Sequence, residues 1–130
     1  MAFILVDTSA IYALVNDADA IHGAAKTRLR MMKKNRFEPL LSNFIVAETH
    51  ALVLTRLGPH IARRWLLGNR WQIERVLPSD EDRAHQIVAS HLDKDYSYTD
   101  ATSFAIMERL GIRRAFSFDR HFEQYGFAVI

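Results

Sequence analysis

The chain has 130 residues, 49% of them hydrophobic and 25% charged, with a formal net charge of +2 and no cysteine. That is room for one packed core and too little for two domains of ordinary size, so a single domain over residues 1–130 is expected. Whole-chain disorder, a disulfide scaffold and thiolate metal sites are excluded, and a pI near 9.2 permits a polyanionic partner without requiring one.

The first apolar run, residues 2–6, is too short for a signal-peptide core and has no basic stretch before it. No run approaches the roughly 20 apolar residues that a bilayer crossing needs. The chain reads as soluble and cytoplasmic, with no membrane partner. Residues 3–6 predict a strand and residues 8–15 a helix. The stretch NDADAIHG turns into a second helix that runs to about residue 34. FEPLLS is a short strand with Pro39 near its start. Ser42 or Asn43 caps a long helix over residues 44–57. LGP ends that helix, and Pro59 suits the first turn of the next. WQIERVLP is a strand candidate. SDEDRAHQIVASHL opens on a Ser-x-x-Asp capping pattern and reads as helix. A further helix spans residues 99–110 and stops at Gly111. RRAFSF is then a strand, DRHFEQY a short helix and FAVI a last strand. Strands alternating with helices predict an α/β fold with a parallel sheet covered on both faces.

One echo stands out. FILVDTS and AFSFDRH are both apolar strands that run into an aspartate and then a helix. Ligands of parallel α/β sheets bind beyond the carboxyl ends of the strands. If the two strands are neighbours, Asp7 and Asp119 converge there. The alternative is that each aspartate caps the helix after it. Glu48 falls on the apparent apolar stripe of the 44–57 helix, four from Phe44, three from Ile45 and four from Leu52. A carboxylate there is costly unless paired or bound to metal; the alternative is a rotated stripe with Glu48 at its wet edge. Asp100 shares the inward face of Phe104 and Met107, and with Ser97 it also fits a capping box. Four carboxylates gathered in one place repel one another, and a hard divalent cation removes that penalty. Oxygen-only ligation suits Mg²⁺ or Mn²⁺, which activate water for attack on phosphorus.

At these residues the sequence resembles the PIN domain family and, within it, the small VapC-type toxins of toxin–antitoxin pairs. The motifs are FILVDTSAIYAL, SNFIVAETHAL, SYTDATSFAIMERLGI and AFSFDRHFEQYGF, in the family's order and over essentially the whole chain. The resemblance implies a three-layer α/β/α fold with a central parallel sheet of four or five strands. It implies a Mg²⁺- or Mn²⁺-dependent endoribonuclease that hydrolyses RNA, with an antitoxin partner and homodimers. The family's acidic quartet falls on Asp7, Glu48, Asp100 and Asp119, with Asp7 and Asp119 as principal metal ligands. Thr8, Ser9, Thr99 and Ser117 are hydroxyls placed to orient a water or a carboxylate. Other readings of the same chain are a non-catalytic RNA-binding or scaffolding module on this fold, and a stand-alone nuclease acting on another nucleic acid.

The six histidines make no H-x-x-x-H pair and are read as solvated or capping, with His121 close to Asp119 but unassigned. Arg28, Arg30, Lys33, Lys34 and Arg36 form one basic cluster; Arg63, Arg64, Arg70 and Arg75 form another, around Trp65 and Trp71. Both are read as solvated helix faces with the tryptophans in the core, because Glu74, Asp80, Glu81 and Asp82 interrupt the field.

Overall fold

The computed structural model describes residues 2–130. Its elements are β1 (Ala2–Val6), α1 (Thr8–Val15), α2 (His22–Lys34), β2 (Phe37–Ser42), α3 (Asn43–Leu57), α4 (Pro59–Gly68), β3 (Gln72–Glu74), α5 (Pro78–Ser90), α6 (Tyr98–Leu110), β4 (Arg114–Phe116), α7 (His121–Tyr125) and β5 (Ala128–Val129). The five strands form one parallel sheet in the order β3-β2-β1-β4-β5. The chain builds outward from β1 to β2 and β3, then jumps back across β1 to β4 and β5. Crossovers between parallel strands are right-handed. The first two therefore lay α1–α4 over one face, and the later ones lay α5–α7 over the other. The point where strand order reverses lies between β1 and β4.

β1 is the central strand, and its last three residues, Ile4, Leu5 and Val6, have no solvent exposure. A strand buried on both faces reads as a continuous apolar run rather than an alternating one. β2 tolerates Pro39 because only Leu40, Leu41 and Ser42 pair with β3, so at Pro39 the strand has a neighbour on one side alone. α6 is buried continuously from Asp100 to Met107, as a helix packed on all sides must be. Phe104 anchors it: its ring stacks on Tyr125 at 4.4 Å and meets Phe122 edge-on at 5.0 Å.

Several boundaries differ from the sequence expectation. α5 starts at Pro78 rather than at Ser79, and its first free N–H, on Leu77, is taken by Asp80, not by a serine cap. Asp80 is 2% exposed and is held by Arg109, whose Nε and Nη2 donate to its two oxygens at 2.9 Å each. The strand read from RRAFSF ends at Phe116. The buried line of α3 is Ile45, Thr49 and Val53, one residue round from the expected stripe, with Phe44, Glu48 and Leu52 beside it. Trp65 and Trp71 are half-buried against the core and, with Ile11, Leu14 and Leu29, line a surface groove of about 410 Å³. Arg63, Arg64, Arg70 and Arg75 are exposed. Among the described residues, no helix is long and apolar enough to cross a membrane.

Candidate metal centre

The β1–β4 pairing sets the geometry. Val6 is in register with Phe116, so Asp7 and Ser117 leave the sheet side by side. Asp7 N–H donates to Phe116 O at 3.0 Å, which extends the ladder one residue beyond both strands. Asp7 is the N-cap residue of α1, yet its side chain caps nothing. Its Oδ2 instead accepts from Ser9 Oγ at 2.8 Å and Ser117 Oγ at 2.9 Å. The capping alternative therefore fails at this residue. The carboxylate is 5% exposed. Burial pushes its pKa up from the ordinary 3.8 to about 6; the two serine hydroxyls hold it down, and the charges of Asp100 and Glu48 add to the rise.

Ser9 and Ser117 do more than hold Asp7. Ser9 Oγ also accepts from Phe118 N–H at 2.9 Å, and Ser117 Oγ accepts from Asp119 N–H at 3.0 Å. The turn after β4 is thus pinned to the turn after β1. Asp119 sits three residues past the end of β4. Its Oδ1 accepts from His121 N–H at 3.0 Å, an Asx turn that opens α7. The residue that matches Asp7 in register is Ser117, so the echo between FILVDTS and AFSFDRH is offset by two positions.

Asp100 combines two roles that the sequence left as alternatives. Its Oδ2 accepts from Ser97 N–H at 3.1 Å while Ser97 Oγ accepts from Asp100 N–H at 3.0 Å, which is a full capping box. The same Oδ2 lies 2.9 Å from His121 Nδ1. Glu48 is half-buried on α3, at the edge of the buried line rather than on it, and its charge is felt by Asp7. Thr8 Oγ1 accepts from Thr49 Oγ1 at 3.1 Å and ties α1 to α3. Thr99 contributes its backbone carbonyl, which accepts from the Thr102 and Ser103 hydroxyls.

His121 is the residue that sequence reasoning left out. Its side chain is 15% exposed, so it is neither solvated nor a cap. Nδ1 lies 3.3 Å from Asp119 Oδ1 as well as 2.9 Å from Asp100, and Nε2 lies 2.9 Å from Asp95 Oδ1. Burial alone would lower its pKa; the charges of Asp100 and Asp119 and the contacts with Asp95 and Asp100 outweigh that and hold it above the ordinary 6.5. Asp100, Asp119 and His121 each offer one ligand atom within 4.8 Å of the others, a group that could hold a metal ion. The donors suit a divalent ion: carboxylate oxygens predominate, and the buried, mutually repelling acids lack a neutralising lysine or arginine among the partners that shift Asp7.

Three comparisons bear on this arrangement. The PIN domain family profile matches residues 4–128. A curated relative, the 23S rRNA-specific endonuclease VapC20 of Mycobacterium tuberculosis, is 35% identical over 130 residues, covering 98% of this chain and 97% of the relative. The crystal structure of that Sarcin-Ricin loop cleaving toxin superposes with a TM-score of 0.86 at 34% identity, covering 96% of each chain. PAE2754 from Pyrobaculum aerophilum matches at a TM-score of 0.65 and 16% identity, over 100% of this chain and 88% of that one. FitAcB from Neisseria gonorrhoeae matches at 0.64 and 17%, over 98% and 96%. These last two speak for the fold. With a family profile over nearly its whole length and a relative of this identity, the chain belongs to the PIN domain family.

Proposed function

We propose that residues 1–130 form a single PIN-like domain that acts as a metal-dependent endoribonuclease of the VapC type. It hydrolyses RNA phosphodiester bonds as the cytoplasmic toxin of a toxin–antitoxin pair. The observation that carries this reading is Asp7, a buried carboxylate that feels the charges of Asp100 and Glu48 and has no lysine or arginine among the groups that shift it. Burial and mutual repulsion disfavour the charged carboxylate, and acids perturbed in this way concentrate at functional sites.

Asp7, Asp100 and Asp119 hold the ion in this reading, and Glu48 completes the acidic wall from α3. Oxygen donors favour Mg²⁺ or Mn²⁺. When bound, an ion of this kind acidifies water and offsets charge on a phosphate undergoing in-line displacement. The protein's own work is positional. Ser9 and Ser117 aim Asp7 through one shared oxygen, leaving the other to point away from them. The capping box fixes Asp100, and the Asx turn fixes Asp119. The relatives' names, a 23S rRNA-specific endonuclease and a toxin, support RNA as substrate; an antitoxin partner and a homodimer follow from the family resemblance.

The test is cleavage of a labelled RNA panel that includes a sarcin–ricin-loop oligonucleotide, with wild type beside Asp7→Asn, in Mn²⁺, Mg²⁺ or EDTA. Metal-dependent cutting by wild type alone is expected. Equal activity in both proteins would strip Asp7 of its role. Binding without cutting by wild type on every RNA would favour a non-catalytic RNA-binding module.

A further inference from the structure

We infer that His121 is a nitrogen ligand of the metal centre, with Asp95 as the outer carboxylate that orients it, and that the site therefore selects Mn²⁺ over Mg²⁺. This rests on the metal-centre reading above and adds to it a ligand that is not a carboxylate.

Distance is the first support. An octahedral ion with bonds of about 2.1 Å sets neighbouring ligand atoms roughly 3.0 Å apart. His121 Nδ1 lies 2.9 Å from Asp100 Oδ2 and 3.3 Å from Asp119 Oδ1. Both His121 distances match that spacing, and one ligand atom from each of Asp100, Asp119 and His121 lies within 4.8 Å of the others. Orientation is the second. Metal-bound histidines characteristically give their other ring N–H to a carboxylate, which fixes the tautomer and raises the basicity of the ligating nitrogen. Asp95 Oδ1, 2.9 Å from Nε2, is that carboxylate. With one proton kept on Nε2 by Asp95, an ion that displaced the proton between Nδ1 and Asp100 would meet the Nδ1 lone pair on the side of Asp100 and Asp119. Rigidity is the third. The ring meets Tyr96 edge-on at 5.5 Å and 86°, and the backbone N–H of His121 is tied to Asp119 itself. Asp95 has an 89% exposed side chain, and His121 is the partner that holds its carboxylate at this ring.

Ion preference follows from donor type. Mg²⁺ takes oxygen donors and holds its waters; Mn²⁺ shares that oxygen preference but, as a transition-metal ion, tolerates one imidazole nitrogen in the set better than Mg²⁺ does. The experiment is pulsed EPR on the full chain loaded with MnCl₂, with and without ¹⁵N-histidine labelling, beside calorimetric titrations of MnCl₂ and MgCl₂. A nitrogen coupling that changes isotope pattern on labelling and disappears in His121→Gln is expected. Mn²⁺ affinity should fall about 10- to 100-fold in that variant and in Asp95→Asn, and Mg²⁺ affinity much less. The labelled wild type needs no substitution, so a misfolded variant does not spoil the result. Tight Mn²⁺ binding with no nitrogen coupling would overturn the inference and leave the metal centre standing. No Mn²⁺ binding at all would overturn both.

Discussion

Asp7→Asn should make the metal-free protein more stable while abolishing its activity. Below pH 3.8 the Asp7 carboxyl is neutral in both folded and unfolded states. Between 3.8 and about 6 the unfolded chain releases its proton and the folded chain keeps it, so stability falls as pH rises. Above about 6 both are ionised and the loss is complete. At ~1.36 kcal/mol per pH unit, a rise from 3.8 to about 6 corresponds to about 3 kcal/mol as a ceiling. Asparagine has the same shape, still accepts from Ser9 and Ser117, and never ionises. In EDTA at pH 7.5 the variant should gain about 1–3 kcal/mol, or roughly 3–10 °C in Tm for a chain of this length. Thermal unfolding at pH 4.5, 6.0 and 7.5 measures it, and the difference between the two proteins cancels other titrating groups. The gain should shrink towards pH 4.5. Added Mn²⁺ should reverse the order at pH 7.5, because ligand that binds only the folded wild type stabilises it by mass action. A variant less stable than wild type at pH 7.5, or a gap that does not change with pH, would refute the reasoning.

Ser117→Ala removes a donor to Asp7 and the acceptor for Asp119 N–H. The Asp7 pKa then climbs above about 6, and the acidic limb of the cleavage pH profile moves to higher pH, with about 0.5–1.5 kcal/mol of stability lost. Arg109→Met leaves Asp80 buried and unpaired; urea unfolding should record a loss of about 3–5 kcal/mol, with cleavage per folded molecule unchanged. Phe104→Ala opens a cavity between Tyr125 and Phe122 and should cost about 3–5 kcal/mol by the same measurement.

The elements that local chemistry dictates were legible in the sequence. The apolar run ending at Asp7, the Ser42 cap on α3 and the glycine stop at Gly111 all depend on neighbours a few residues apart. The parallel sheet was legible from strand–helix alternation. What escaped depends on register and on helix rotation. The Asp7 side chain could be a cap or a site residue until the Val6–Phe116 pairing brings Ser117 to it. The stripe on α3 slips by one residue because Thr49 turns inward to meet Thr8, a contact 41 positions away. The only local mark His121 carries is its place two residues after Asp119. Its partners Asp95 and Asp100 lie 26 and 21 positions back, and only the packing of α7 against α6 brings them together.

The pin between the turns after β1 and β4 joins Ser117 to Asp7 across 110 positions. On a ribosome, this means that the first aspartate of the site is made early and waits, unaimed, for almost the whole chain. Until residues 114–121 have left the exit tunnel, β1 lacks its β4 neighbour, Asp7 lacks one of its two hydroxyl partners, and Asp119 and His121 are not yet in reach of Asp100. The groups that would hold an ion therefore come together only after β4 has emerged and closed against β1, so the last part of the sheet to form sets when the site is assembled.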